Sequence, residues 1–253
     1  MKKKIVIKLG SSTLTRGKWQ ISRGKIEDVA QQILELREQY HVILVSSGAG
    51  AAAKQYFKLK EHHTALPFKQ ALVAIGQPIL MRIYQEVFND LGLGVAQCLL
   101  TYYDFHNETS RQNIINTIDS LLENDFIPII NENDTVATEE IKFGDNDKLA
   151  ALTAGLIHAD LLVLASDING LYTADPKHNP EAELITEVTD VQQIAHLAQE
   201  TKSDLGSGGM PSKIVAAEIC KEQQVEMWIV NGQQDHFIVD ALKGSIPFTK
   251  FTK

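Results

Sequence analysis

Short runs of apolar residues alternate with longer stretches of helical periodicity along the whole chain. Residues 4–8 (KIVIK) read as a strand. Ile26, Val29, Ala30, Ile33, Leu34 and Leu36 then line one side of a helix over 25–40. Residues 42–45 (VILV) form an unbroken apolar run, which suits a strand covered on both faces. Residues 51–67 look irregular and polar. A long helix is expected over 69–91, with a break at Gly76-Gln77-Pro78 because proline has no N–H for the helix ladder. Further strands are expected at 95–100, 126–130, 161–165 and 226–230. One helix carries Ile114, Ile118, Leu121 and Leu122 on one face, and another starts near Pro211 or Ser212. Strand and helix alternating over the full length predict an α/β protein with a mostly parallel sheet. Ligands of such sheets sit beyond the carboxyl ends of the strands, so the residues that follow each strand matter most.

Those residues are polar or small. After the first strand comes Lys8-Leu9-Gly10-Ser11-Ser12, where glycine lets a ligand approach the backbone and lysine supplies a cation. After the second comes Ser46-Ser47-Gly48-Ala49-Gly50. The strand at 126–130 leads into Asn131-Glu132-Asn133-Asp134, and soon afterwards into Gly144-Asp145-Asn146-Asp147-Lys148. Asp134, Asn146 and Asp147 are short acceptors able to hold an ammonium group or a metal-bound water. The competing reading is a pair of Asx turns, with Asp147 capping the next helix. Ser166-Asp167-Ile168-Asn169-Gly170-Leu171-Tyr172 follows the strand at 161–165. Gly206-Ser207-Gly208-Gly209-Met210-Pro211-Ser212-Lys213 opens a helix, and such a loop aims unpaired N–H groups at an anion. A lysine in a first helical turn opposes the helix dipole, so Lys213 is best explained by a polyphosphate beside it. Two lysines next to glycine-rich turns, with carboxylates and amides between them, point to phosphoryl transfer.

Composition removes other classes. The net charge of -8 over 253 residues disfavours a nucleic-acid or anionic-membrane partner. The two cysteines, Cys98 and Cys220, have neither disulfide nor zinc spacing. No HExxH, EF-hand, Walker A or GxGxxG pattern is present, and the last absence rejects a dinucleotide oxidoreductase. The start, Met1-Lys2-Lys3-Lys4, is followed by only three apolar residues, so no secretory leader is expected, and no apolar run reaches membrane-spanning length. The expected location is the cytoplasm.

The phrases INEND, EIKFGDND, GLYTADP and SGGMPSK, with Lys8-Leu9-Gly10-Ser11 and Ser47-Gly48-Ala49, resemble the glutamate 5-kinase branch of the amino-acid kinase superfamily. The resemblance covers nearly the whole chain. It implies a three-layer αβα sandwich around a mostly parallel central sheet. It also implies a single kinase domain over 1–253, with an amino-acid lobe to about residue 150 and an ATP lobe over about 151–253. Carried over by position, Ser47, Gly48, Asp134, Asn146 and Asp147 would bind L-glutamate. Lys8, Gly10, Ser166, Asp167 and the run Ser207, Gly208, Gly209, Met210, Pro211, Ser212 and Lys213 would bind ATP. Lys8 and Lys213 would be catalytic, with Asp147 and Asp167 organising the lysines or the metal's waters. Mg²⁺ would arrive with ATP, without direct protein ligands. The resemblance further implies a homo-oligomer, dimer or tetramer, a glutamyl phosphate reductase as the next-step partner, and absence of the C-terminal PUA domain found in many relatives. Gly50, Pro78 and Tyr102 depart from the family pattern. Composition marks residues 51–67 and 173–183 as candidate lids. Two alternatives stay open: another carboxylate, carbamate or nucleotide kinase of the same superfamily, and a non-catalytic amino-acid sensor on this fold.

Overall fold

The computed structural model describes residues 2–17, 19–57, 66–137, 146–176, 178–194 and 209–253. The first half runs β1 (Lys3–Leu9), α1 (Ser11–Leu14), β2 (Thr15–Arg16), β3 (Gln20–Ile21), α2 (Arg23–Leu36), β4 (Tyr40–Ser46), α3 (Ala49–Tyr56), α4 (Leu66–Asp90), β5 (Gly94–Leu100), α5 (Tyr102–His106), α6 (Glu108–Glu123) and β6 (Phe126–Glu132). The second half runs α7 (Asp147–Leu156), β7 (Leu161–Ser166), β8 (Leu171–Tyr172), β9 (Leu184–Ile185), β10 (Glu187–Val188), a 3₁₀ turn (Val191–Ile194), α8 (Met210–Glu222), β11 (Glu226–Asn231), α9 (Phe237–Leu242) and β12 (Thr249–Phe251).

Eight strands form one sheet in the order β10-β12-β11-β7-β1-β4-β6-β5. Only the β11–β12 pair is antiparallel among them. The centre of the sheet is apolar on both faces because both are covered. Ile5, Ile7 and Leu9 of β1 pack with α2, α3, α4 and α9, while Val6 packs with α6, α7 and α8 on the other side. Helix, sheet and helix therefore make three layers, as the family resemblance implied. Period-2 alternation puts Lys8 on the same face as Val6, beside α7 and α8.

Helix α2 stops earlier than its periodicity suggested, because Tyr40 already pairs with Lys3 in the sheet. Two expectations for the next region are corrected. Residues 49–56 are helical rather than irregular: Ala49, Ala51, Ala52 and Ala53 are strong helix formers and are buried. Of the rest of 51–67, residues 58–65 lie outside the described residues, and Leu66 and Pro67 already belong to helix α4. Helix α4 also continues through Pro78 without a break. Proline forfeits one ladder bond, but Leu80, Met81, Tyr84, Val87 and Phe88 are buried along the same helix and outweigh it. Gly76 is small for a different reason. A Cβ there would lie 1.7 Å from the Ala49 carbonyl oxygen, so glycine lets α4 close onto α3.

Because the strands around β1 are parallel, their carboxyl ends share one edge. The connections are tied together there: Ser47 N–H donates to the Leu9 carbonyl at 3.0 Å, and Gly232 N–H to the Ser166 carbonyl at 2.8 Å.

Candidate active site

Asp147, the first residue of α7, is fully buried and lies between the two lysines singled out by sequence. Lys8 Nζ is 2.6 Å from its Oδ1 and Lys213 Nζ is 3.0 Å from its Oδ2. Ser212 Oγ lies 3.2 Å from Oδ2 and 2.8 Å from the Gly209 carbonyl oxygen, which share its single hydrogen. Charge-assisted contacts of this kind are short and strong in a buried setting. One carboxylate shared by two ammoniums leaves the trio with an excess of positive charge, which suits an incoming anion. The expectation that Lys213 is best explained by a polyphosphate beside it changes accordingly, since Asp147 already faces it. Gly10 keeps the space open, because a Cβ there would come within 3.4 Å of Lys8 Nζ. Gly209 precedes the first turn of α8, with Met210 and Pro211 opening the helix. Ser207 and Gly208 lie outside the described residues, as do Gly144 and Asp145.

The neighbouring residue, Asn146, turns the other way. It occupies the N-cap position of α7, where an asparagine side chain normally accepts from the helix backbone. Its side chain makes no such bond. Instead Nδ2 donates to Ser47 Oγ at 3.1 Å and to Asn131 Oδ1 at 2.8 Å. The alternative of Asp147 as the cap is also replaced, since Asp147 is the first helical residue and its carboxylate faces the two lysines. Ser47 follows β4, and Gly48 takes φ 104°, a left-handed conformation that favours glycine, to start α3. Behind the loop, Tyr84 and Ser46 share a buried 2.8 Å hydrogen bond, and Ser46 Oγ also donates to the Ser47 carbonyl.

Two carboxyl groups stand at the end of β6. Burial raises Asp134 to about 6. Glu132 is pushed up to about 8, first by burial and then by the charge of Asp134. Glu132 is 6% exposed, and its Oε1 has no hydrogen-bond partner among the described residues. Groups held this far above the ordinary carboxylate range tend to sit where a ligand completes their environment. Asn131, Glu132 and Gln77 are site residues that the sequence reading did not select. The first two sit inside the INEND phrase, and their position directly after an apolar strand was the available signal. Gln77 had none, because it lies 54 residues from its partner Asn131.

On the far side of the lysines, Ser166 is buried and its Oγ is 3.4 Å from Asp167 Oδ1. Asn231, at the end of β11, donates to Asn169 Oδ1 at 3.0 Å. Tyr102 receives Lys148 Nζ over its ring at 4.3 Å. Of the candidate lids, the part of 51–67 up to Tyr56 belongs to helix α3, which packs against α4, and in 173–183 the Thr173 N–H donates to the Glu183 carbonyl at 3.0 Å.

The arrangement thus has a cationic end and an amide-rich end, joined by consecutive residues at the start of α7. The amino acid kinase family model matches residues 3–231. The chain belongs to the amino acid kinase family. Its curated relatives include the glutamate 5-kinase of Clostridium tetani, 43% identical over 98% of this chain and 94% of the relative, and that of Clostridium acetobutylicum, 45% identical over 94% and 90%. A glutamate 5-kinase of Thermus thermophilus is 45% identical over 96% of this chain, which spans 65% of that relative's length. Among solved structures of the family's fold, UMP kinase from Ureaplasma parvum matches with a TM-score of 0.69 at 20% identity, covering all of both chains. Carbamate kinase from Giardia lamblia bound to AMP-PNP matches with a TM-score of 0.69 at 17% identity, covering 100% of this chain and 99% of the other.

Proposed function

We propose that the chain transfers the γ-phosphoryl group of ATP to the γ-carboxylate of L-glutamate, giving L-glutamyl 5-phosphate, the first step of proline biosynthesis. The observation that carries this reading is the divergence of Asn146 and Asp147. Adjacent residues at one helix start reach a phosphate-attracting lysine pair and a neutral hydrogen-bonding pocket. A donor and an acceptor substrate would therefore meet across a few ångströms.

The attacking group is a carboxylate, ionised at neutral pH, so no general base is required. The residues act by position and charge. Lys8 and Lys213 bear on the phosphoryl oxygens in flight, and Asp147 holds the two ammoniums toward one point. Ser47, Gly48, Asn146 and Asp134 bind the amino acid, with Asp134 placed to meet its ammonium. Gly10, Ser166, Asp167 and residues 207–213 take the nucleotide; apart from Lys8 and Gly10, the lobe to about residue 150 serves glutamate and the lobe from about 151 serves ATP. No group of three metal-ligating side chains occurs among the described residues. A magnesium ion would arrive with ATP, held mainly by phosphate oxygens and water. That ion would add neutralising charge at the phosphates, with Asp167 the carboxylate at the end of β7 available to its waters.

No helix among the described residues is long and apolar enough to cross a membrane. A cytoplasmic location, a dimeric or tetrameric assembly, and hand-over of the labile acyl phosphate to a reductase complete the reading. The test is ADP release from Mg-ATP with hydroxylamine as trap. Hydroxamate from glutamate, and not from aspartate or N-acetylglutamate, is expected. Folded protein that yields no hydroxamate from any amino acid overturns the assignment.

A further inference from the structure

The network behind Ser47 fixes the direction of three side-chain amides. A backbone N–H can only donate. The Glu132 N–H meets Asn131 Oδ1 at 2.9 Å, which identifies that end of the amide as oxygen. The other end, Nδ2, faces Gln77, which answers with Oε1 at 2.9 Å. Asn131 Oδ1 also accepts from Asn146 Nδ2, whose second hydrogen goes to Ser47 Oγ. Both hydrogens of the Asn146 amide are then engaged. Its Oδ1 is the one group left to offer, and it has no partner among the described residues. Ser47 Oγ, having accepted, keeps its own hydrogen to donate.

The geometry points to Gln77 as a positioning residue for amino-acid recognition: it holds Asn131 Nδ2, so that Asn146 stays turned with Oδ1 toward the substrate's α-ammonium. This rests on the functional reading above. Gln77 is itself 7% exposed. The preceding residue, Gly76, lies in direct contact with the Ala49 backbone, next to the Ser47-Gly48 turn. The relay therefore connects helix α4 to the substrate loop through buried groups. Removing the Gln77 acceptor strands a buried N–H of Asn131, whose amide cannot turn over because the Glu132 N–H holds its Oδ1, so the side chain is drawn out of place toward another acceptor. The acceptor that Asn146 donates to would then shift, and the oxygen Asn146 presents would no longer be held in one position.

The experiment compares the wild type with Gln77→Leu, which lacks an acceptor, and Gln77→Glu, which keeps one. Glutamate is set against glutarate, the same diacid without the ammonium, at saturating Mg-ATP. In Gln77→Leu the glutamate-to-glutarate ratio of kcat/KM should fall by about tenfold or more, the scale of one hydrogen bond to a charged group. The KM for ATP should hold within about twofold, a difference too small to represent a lost contact. Gln77→Glu should recover most of the ratio. A ratio unchanged in Gln77→Leu overturns the relay, as does an equal loss for both diacids or a Gln77→Glu variant no better than Gln77→Leu. A wild type without preference for glutamate over glutarate overturns the functional reading itself, and the relay with it.

Discussion

The two ends of the site use different physics. Around Asp147 the contacts are between full charges, at 2.6 and 3.0 Å and almost without solvent. Around Asn131 the groups are neutral amides and a hydroxyl, at 2.8 to 3.1 Å. Charge acts over distance and tolerates small displacements, so the lysine end can stabilise an anion whose geometry changes during transfer. An amide network instead fixes which atoms donate and which accept, and so distinguishes one ligand from its close analogues. The difference teaches that rate should depend chiefly on one end and selectivity on the other.

The largest expected effect is at the charged end. Lys213→Ala should lower turnover by roughly 100-fold or more while ATP still binds, because its charge matters most to the phosphoryl group in flight. Near-normal turnover, measured as hydroxamate formed at saturating substrates, would remove Lys213 from that role and blur the contrast between the two ends.

Next in size is Asp134→Ala, expected to raise the glutamate KM by about tenfold or more with little change in the KM for ATP. The wild type supplies a companion test. Burial raises Asp134 to about 6, and only its ionised form attracts an ammonium. Glutamate binding should therefore weaken as pH falls through about 6 and level off above it. A glutamate KM that stays flat as pH crosses that value, or one that falls with acid, would separate Asp134 from the ammonium.

The smallest effect concerns stability. Glu132 sits at about 8 in the folded protein, well above an ordinary glutamate. A raised carboxyl favours the folded state only while protonated, so its contribution is complete in acid and is lost as pH rises through about 8. Glu132→Gln mimics the neutral form. Its melting temperature without ligand should exceed the wild type by a few degrees above about pH 8 and match it near the ordinary glutamate range. Parallel melting curves across that window would show that Glu132 carries no such strain.

Much of this was legible along the chain. The strand positions followed from runs such as 42–45 and 161–165, since a sheet covered on both faces demands unbroken apolar residues. Lys8, Ser47, Asn146 and Lys213 could be picked out because they follow strands or open helices, where ligands of parallel sheets bind. The misreadings fell at positions where a local rule was overridden by packing. Pro78 predicted a break, but the buried residues after it and the fit of Gly76 onto Ala49 kept α4 whole. The polar look of 51–67 hid the alanine-rich helix α3.

The α/β architecture, the family and the chemical types gathered at the carboxyl edge of the sheet can be read along the chain, because periodicity and short motifs are local properties. How those groups are wired emerges in the packed molecule. Packing brought Asp147 between lysines 139 and 66 residues away in the chain, made Asn146 a bridge between Ser47 and Asn131, and recruited Gln77 and Glu132. Hydrogen bonds and ion pairs depend on distance and direction between atoms, and residues far apart in the chain acquire those only when the layers pack.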